Sequence, residues 1–355
     1  VTTVEEIKQM MRRSEKRGTT KKLLLLSSGS TLVNLACSGR VEGAFPIGHY
    51  FFVPGDSMSG KTWLGMSCFA EAANDERFDQ YRLIYDPTES GALMDLGRFF
   101  GEKAAKRIEW MDPPSCTVRE FYFNVDDALE DGRPFVYILD SQDSLSSEEE
   151  QEKFEEVKSA HRKGKTTTGS YGDSKAKIHS ANMRKLMSPL RESGSILIVL
   201  NQTRDSFDQF KPAAYSGGRA LLFYATLQLW SRVKSRIKKT VRGKPRQLGV
   251  VVGVTVKKNR LTGKERSVEV PIFHSCGIDD VGSCVDYLID EKAWSKSGNG
   301  FVEAVGLGPI IKLRRDDLIR KIEGDDLVDD LRMLVQKCWD EVERACEVVR
   351  KKRYQ

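Results

Sequence analysis

Short apolar runs bounded by glycine, proline or an acid recur along the chain, and between them apolar residues return every three or four positions. The first texture predicts buried strands and the second predicts amphipathic helices. Leu23–Leu26 reads as a strand entering the turn Ser27–Ser30, with a helix over Leu32–Ala36. Tyr50–Val53, Arg82–Asp86, Phe135–Leu139 and Ser195–Gln202 read as further strands. Helices are predicted over 63–72, 93–106, 118–129 and 178–192. Thr226–Trp230, Gly249–Val256 and Ser267–Phe273 complete the strands, the last two as an alternating pair. Strands alternating with helices predict an α/β fold with a largely parallel sheet.

The ends and one internal stretch differ in texture. Val4, Ile7, Met10 and Met11 lie at helical spacing among Lys and Arg, a short basic amphipathic helix. Its apolar stripe needs a docking surface, on its own domain or on a neighbouring subunit. Ser146–Lys177 runs Glu-rich, then basic and Gly/Thr/Ser-rich, and is expected to be a loop with at most a short charged helix. After Gly277 come a helix over 281–292, a Ser/Gly loop and a charged final helix. That helix spaces Leu327, Leu331, Leu334, Cys338, Val342, Ala345 and Val349 to pack on its own domain, with a coiled-coil partner as the lesser alternative because the run is short.

Composition narrows the class. The chain has 355 residues, 39% hydrophobic and 30% charged, enough for one large domain with small additions. A net charge of +6 is compatible with a polyanionic partner. Lys234, Arg236, Lys238, Lys239, Arg242, Lys244 and Arg246 gather at a predicted hairpin tip. The seven Cys are scattered, which argues against a zinc site or disulfide framework and for a reducing cytosol. No apolar run approaches membrane-spanning length, and the polar N-terminal stretch does not read as a signal peptide.

The chemistry centres on Gly55-Asp56-Ser57-Met58-Ser59-Gly60-Lys61-Thr62, a G-x-x-x-x-G-K-T phosphate-binding loop between a predicted strand and the helix opening at Trp63. Its backbone N–H groups are expected to wrap a triphosphate, with Lys61 on the β- and γ-phosphates and Thr62 on Mg²⁺. Gly164-Lys165-Thr166 is a decoy, because no glycine stands five residues upstream. Phe135–Leu139 ends in Asp140, the position from which an acid holds Mg²⁺ together with Thr62. Asp86 or Glu89, after the second core strand, is a candidate base for an attacking water. Gln202 ends the next strand, where its amide is able to sense a γ-phosphate. Arg162, Lys163 and Lys165, and then Arg204, Phe207, Phe210 and Lys211, combine cations with aromatic rings as single-stranded nucleic acid requires.

Several of these stretches together resemble the RecA family of homologous recombinases. Gly217-Gly218-Arg219-Ala220-Leu221-Leu222-Phe223-Tyr224-Ala225 closely matches that family's G-G-x-A-L-x-F-Y-A helix. Ser27–Ser30, Leu200-Asn201-Gln202, Val256-Lys257-Lys258-Asn259-Arg260, Gly277-Ile278-Asp279 and Trp294–Gly298 are similar to further family segments. The departures are a wider Asp86–Glu89 spacing, a longer region after Asp140 and a basic C-terminus, and they suggest a phage-type or divergent member. The resemblance implies an N-terminal oligomerisation segment over 1–24, a RecA-like ATPase core over 25–276 and a small α-rich C-terminal region over 277–355. It implies an ATP- and Mg²⁺-dependent recombinase that forms filaments on single-stranded DNA and pairs it with homologous duplex DNA. ATP would lie between subunits, with Lys258 and Arg260 reaching the site of the adjacent copy and Glu89 preferred as the base. Gly217, Gly218 and Arg219 fall among the implied DNA contacts. A mediator or single-strand-binding protein is an implied partner, and the cytoplasm, of a bacterial host for a phage protein, the implied location. A hexameric DNA motor on the same core, or a regulatory paralogue with weak ATPase, are the alternatives.

Overall fold

A computed structural model of the chain describes residues 23–89, 93–163, 174–204, 214–215 and 217–350. The strands in chain order are β1 (Leu25–Leu26), β2 (Phe45–Pro46), β3 (His49–Gly55), β4 (Arg82–Asp86), β5 (Ile108–Trp110), β6 (Phe135–Leu139), β7 (Ile196–Arg204) and β8 (Ala214–Tyr215). Then come β9 (Leu227–Val241), β10 (Lys244–Asn259), β11 (Arg266–Phe273), β12 (Gly277–Ile278), β13 (Ser295–Lys296), β14 (Phe301–Ala304) and β15 (Ile311–Arg314). The ten-stranded main sheet has the order β12-β11-β10-β9-β3-β7-β6-β4-β5, with β8 on β7. From β9 to β5 every pairing is parallel, and β10 to β12 extend the sheet antiparallel.

Burial on both faces explains why the parallel strands are apolar throughout. Successive side chains point to opposite faces. Phe51, Val53, Ile138, Ile198 and Leu200 enter one core, and Phe52, Tyr137, Leu139, Leu197 and Val199 enter the other. Helices α1 (Thr31–Ser38) and α2 (Lys61–Asn74) cover the first face. The helix predicted over 93–106 is two pieces, α3 (Leu96–Phe100) and α4 (Glu102–Arg107), because Gly101 takes a φ of 86° between them. On the second face lie α5 (Val118–Glu130) and, after α6 (Glu148–Arg162), α7 (Ser174–Ser193).

Helix α6 is longer than the sequence suggests. It has no buried residue, yet Ser147 and Glu150 form a reciprocal capping box and Glu148–Glu150 sit at the positive end of the helix dipole. Capping and dipole terms, rather than an apolar stripe, define this helix. After α8 (Arg219–Tyr224) and the β9–β12 strands, α9 (Asp280–Asp290), α10 (Arg315–Gly324) and α11 (Val328–Ala345) close the chain. They enclose a three-stranded sheet β13–β14–β15, which the α-rich expectation for this region omits. Helix α11 buries Leu331, Val335, Cys338 and Trp339 and stops before Val349, which is exposed.

Ion pairs fasten this region to the core. Asp280 accepts hydrogen bonds from Thr31 N at 2.6 Å and Thr31 Oγ1 at 2.8 Å, and pairs with Arg332 at 3.1 Å. Glu343 of α11 is bound by Arg266 and Lys264, which hold its carboxyl down at about 2. A carboxylate depressed in this way stabilises the fold above its ordinary value of 4.5, and the contribution disappears as pH falls toward about 2. Urea midpoints of the wild type and Glu343→Gln are therefore expected to converge over that interval. The difference above it should be about 1 kcal/mol, because the pair is partly solvated. Parallel pH profiles for the two proteins would contradict the assignment.

Candidate nucleotide site

The phosphate-binding loop joins β3 to α2, and shape fixes its two glycines. A Cβ at Gly55 would stand 2.5 Å from the Ser231 carbonyl oxygen. Gly60 has a left-handed φ of 78°, and a Cβ there would stand 2.5 Å from Ile272 Cδ1. The first helical bond runs from Leu64 N to Gly60 O at 2.9 Å, so the N–H groups of Lys61, Thr62 and Trp63 have no partner within the helix. These groups and the helix dipole make an anion seat. The Trp63 ring itself packs on Phe99 and Phe100, each at 5.2 Å between centroids. Met58 is exposed, Ser59 Oγ lies 2.8 Å from Ser231 Oγ, and Thr203 Oγ1 donates to Asp56 at 2.7 Å.

Lys61 Nζ turns back on the loop, donating to Gly55 O at 2.9 Å and Asp56 O at 2.7 Å. Burial lowers its pKa, and the nearby Asp140, Glu89 and Asp56 charges oppose that shift. The result is a buried ammonium on carbonyl oxygens, at the mouth of a loop of amide donors. Thr62 Oγ1 donates to Asp140 Oδ2 at 2.7 Å, and the Tyr85 hydroxyl donates to the same oxygen at 2.9 Å. Burial raises the Asp140 pKa, while both hydroxyls favour its ionised form. A hydroxyl and a carboxylate held together beside a phosphate seat form the oxygen donor set a Mg²⁺ ion takes, so the residues fit that ion.

The two candidate bases have different surroundings. Asp86 is fully buried and accepts from Ser115 N at 3.0 Å, Ser115 Oγ at 2.6 Å and Tyr137 OH at 2.7 Å. Glu89 stands at the open edge of the sheet, where the Gln202 amide donates to both its oxygens at 2.9 Å and Ser141 Oγ donates to one of them. Gln202 is also the register partner of Gly55. Loop, acid and amide thus meet at the carboxyl ends of β3, β4, β6 and β7, the edge where open α/β sheets bind ligands.

Lys258 and Arg260 lie elsewhere. Asn259 pairs with Leu227, whereas Gly55 pairs with Ser231 four residues further along β9. At the rise of a strand this offsets Asn259 from the level of its own loop by roughly 13 Å along the strand direction, before the spacing between strands is added. Lys258 Nζ donates to Leu222 O at 2.8 Å and Phe223 O at 2.7 Å, and Arg260 Nη2 donates to Phe223 O at 2.8 Å. Burial first, and then Arg260, lower the Lys258 pKa. Both cations therefore gather on the Phe223 carbonyl at the opposite sheet edge, with Lys258 Nζ 5.8 Å from the centroid of the exposed Phe223 ring.

Among the candidate DNA contacts, Arg162 and Lys163 are exposed at the end of α6, and Gly217, Gly218 and Arg219 lead into α8. The backbone of Arg204 ends β7. Lys165, Phe207, Phe210, Lys211 and the N-terminal stripe Val4–Met11 lie outside the described residues. Sequence reasoning overlooks Tyr85, Ser141, Thr203 and Ser231. Tyr85 carried a usable signal, since a tyrosine in a buried strand needs a partner for its hydroxyl. Ser231 carried none, because its role depends on β9 lying beside β3.

A phosphate-binding loop and a strand-end acid on a largely parallel, two-face-covered sheet define an α/β fold with a RecA-like core. Residues 157–279 match the family model described as the RecA N-terminal domain. The chain is similar to Protein RecA of Streptococcus uberis (strain ATCC BAA-854 / 0140J), 25% identical over 311 residues, covering 81% of this chain and 72% of that protein. Protein RecA of Streptococcus pyogenes serotype M5 (strain Manfredo) is 26% identical over the same shares. These similarities support a divergent RecA-family protein. No helix among the described residues is long and apolar enough to cross a membrane.

Proposed function

We propose that the chain is an ATP-dependent DNA recombinase that assembles on single-stranded DNA and pairs it with a homologous duplex. The observation that carries this reading is the Gln202–Glu89 pair. It joins the acid best placed to orient an attacking water to the strand that leads into the candidate DNA-contacting stretch 204–211. Gln202 would change partner when a γ-phosphate is present, so nucleotide state and DNA contact would share one strand. Lys61 and the loop N–H groups would hold the β- and γ-phosphates, and Thr62 and Asp140 would hold Mg²⁺. Mg²⁺, when bound, neutralises phosphate charge. Glu89 would take the proton of the attacking water.

Lys258 and Arg260 are too far from their own loop to serve it and stand exposed enough to serve that of a second copy. Each site would then need two chains, and nucleotide binding would favour assembly by mass action. The test is to mix two variants, Lys61→Ala and Arg260→Ala, each inactive alone. Recovery of part of the ATP turnover on mixing is expected, with helical filaments on DNA in negative-stain images. Full activity of Arg260→Ala alone, or closed rings in place of filaments, would count against this reading and for a ring motor.

The β9–β10 ribbon is a further phosphate-contact surface in this scheme. Between Arg232 and Arg246 it carries eight cations and no acid, more than the net charge of +6 for the whole chain. Its outer half, from Lys238 to Leu248, is exposed, and none of its cations forms an ion pair among the described residues. The logarithm of the DNA binding constant should fall linearly with log salt concentration, by a slope of about 0.7 to 0.9 per phosphate contact. Replacing Arg236, Lys238, Lys239 and Arg242 by alanine is expected to reduce that slope by about 3 to 4. Superimposable salt plots for the variant and wild type would remove the ribbon from the DNA surface.

A further inference from the structure

We infer that His179 and Gln142 form a positioning link between the candidate DNA-contacting segments and the nucleotide site. The inference rests on the functional reading above and specifies how its two halves communicate. His179 is fully buried on α7. Its Nδ1 lies 2.8 Å from the Tyr122 hydroxyl on α5, and its Nε2 lies 3.0 Å from the amide nitrogen of Gln142. The Gln142 amide donates to Nε2, so the imidazole carries its proton on Nδ1 and donates it to Tyr122.

Gln142 touches three places at once. Along the chain it follows Ser141, which donates to Glu89, and Asp140, which holds Thr62. Across the fold it holds α7, whose first turn follows residues 164–173. It also lies against Gly217, where a Cβ would stand 2.9 Å from the amide nitrogen and 3.0 Å from Cδ. Gly217 follows the stretch 204–211 and has a φ of 95°, so any larger residue would displace the Gln142 side chain. Gly218 closes the arrangement, since a Cβ there would stand 2.6 Å from Ala176 Cβ on α7. A shift of Gly217 or of α7 must therefore move the amide that adjoins Ser141.

The chemistry of the link is otherwise hard to explain. Its surroundings are apolar, including Leu145, Met183 and Leu221. An apolar pair would fill the space without the cost of burying two polar side chains. Directional hydrogen bonds instead fix one relation between α7 and residues 140–142, and a packed interior passes on displacement. Burial holds the imidazole neutral, its pKa down at about 3, so the hydrogen bonds persist across the working pH range. The link is geometric and not a proton switch.

The test measures ATP turnover with and without single-stranded DNA for wild type, the double variant His179→Phe/Gln142→Leu, and His179→Gln. Replacing both polar partners by apolar groups leaves neither of the two unpaired but deprives the buried Tyr122 hydroxyl of its partner, so the double variant should melt below wild type while remaining folded. Its basal turnover should match wild type, while its stimulation by DNA should fall at least about fivefold, the low end of ordinary coupling between sites. His179→Gln keeps an amide able to bond both neighbours and should retain most of the stimulation. Should the double variant not fold, Tyr122→Phe deletes one hydroxyl and is expected to show the same loss in smaller degree. Unchanged stimulation in a folded variant, or equal losses of basal and stimulated turnover, would overturn the link. Absence of stimulation in wild type would overturn the functional reading together with the link, so the two failures are distinct.

Discussion

Lys61→Ala is expected to lower DNA-stimulated ATP turnover by at least ~100-fold, the usual cost of removing one preorganised charge from a phosphoryl-transfer site. The expectation follows from where the ammonium is. It is buried, bound to Gly55 O and Asp56 O, and set at the mouth of the loop whose amide donors would face the phosphates. The loop is shaped by Gly55 and Gly60 rather than by the lysine, so the variant should still fold. The measurement is steady-state turnover beside a thermal melt of the same preparation. Turnover at the wild-type rate would place the chemistry outside this loop. Loss of turnover together with loss of the melt would report a structural role only.

Glu89→Gln and Asp86→Asn should separate chemistry from architecture. Glu89 is exposed, and two of its partners, Gln202 and Ser141, remain able to bond a glutamine. Glu89→Gln is therefore expected to reduce kcat by ~10²–10⁴-fold, the range of a general base, with KM and stability nearly unchanged. Asp86 accepts three hydrogen bonds in a fully buried position. An asparagine there turns an NH₂ group toward donors, so Asp86→Asn is expected to cost about 2–3 kcal/mol in urea unfolding. A stable Asp86→Asn with the larger kcat loss would reverse the two roles.

The same contrast shows how far the sequence carries. The glycine spacing of the loop and the strand leading to Asp140 are local patterns, and each stands where its pattern puts it, whereas the strand expected to end at Gln202 runs on to Arg204 because β8 pairs with its last two residues. The choice between Asp86 and Glu89 was not legible, because it depends on Ser115 and Tyr137, which arrive from other elements. Helix α6 was obscured because capping and dipole terms leave no apolar period to detect. The break at Gly101 was visible as a glycine but not as a change of direction, which follows from its positive φ. The last helix was expected to reach Val349, which lies beyond its end and is exposed; Leu334 packs partly buried against the core as expected, and tertiary packing adds Val335 and Trp339 to the buried set.

In the proposed function one strand, β7, joins DNA contact to ATP turnover through Gln202 and Glu89. Turnover measured with and without single-stranded DNA, in wild type and in Gln202→Leu, tests it most directly. Strong stimulation by DNA is expected in wild type, with loss of that stimulation in a Gln202→Leu protein that still binds nucleotide. Equal stimulation in both proteins, or none in wild type, would contradict it.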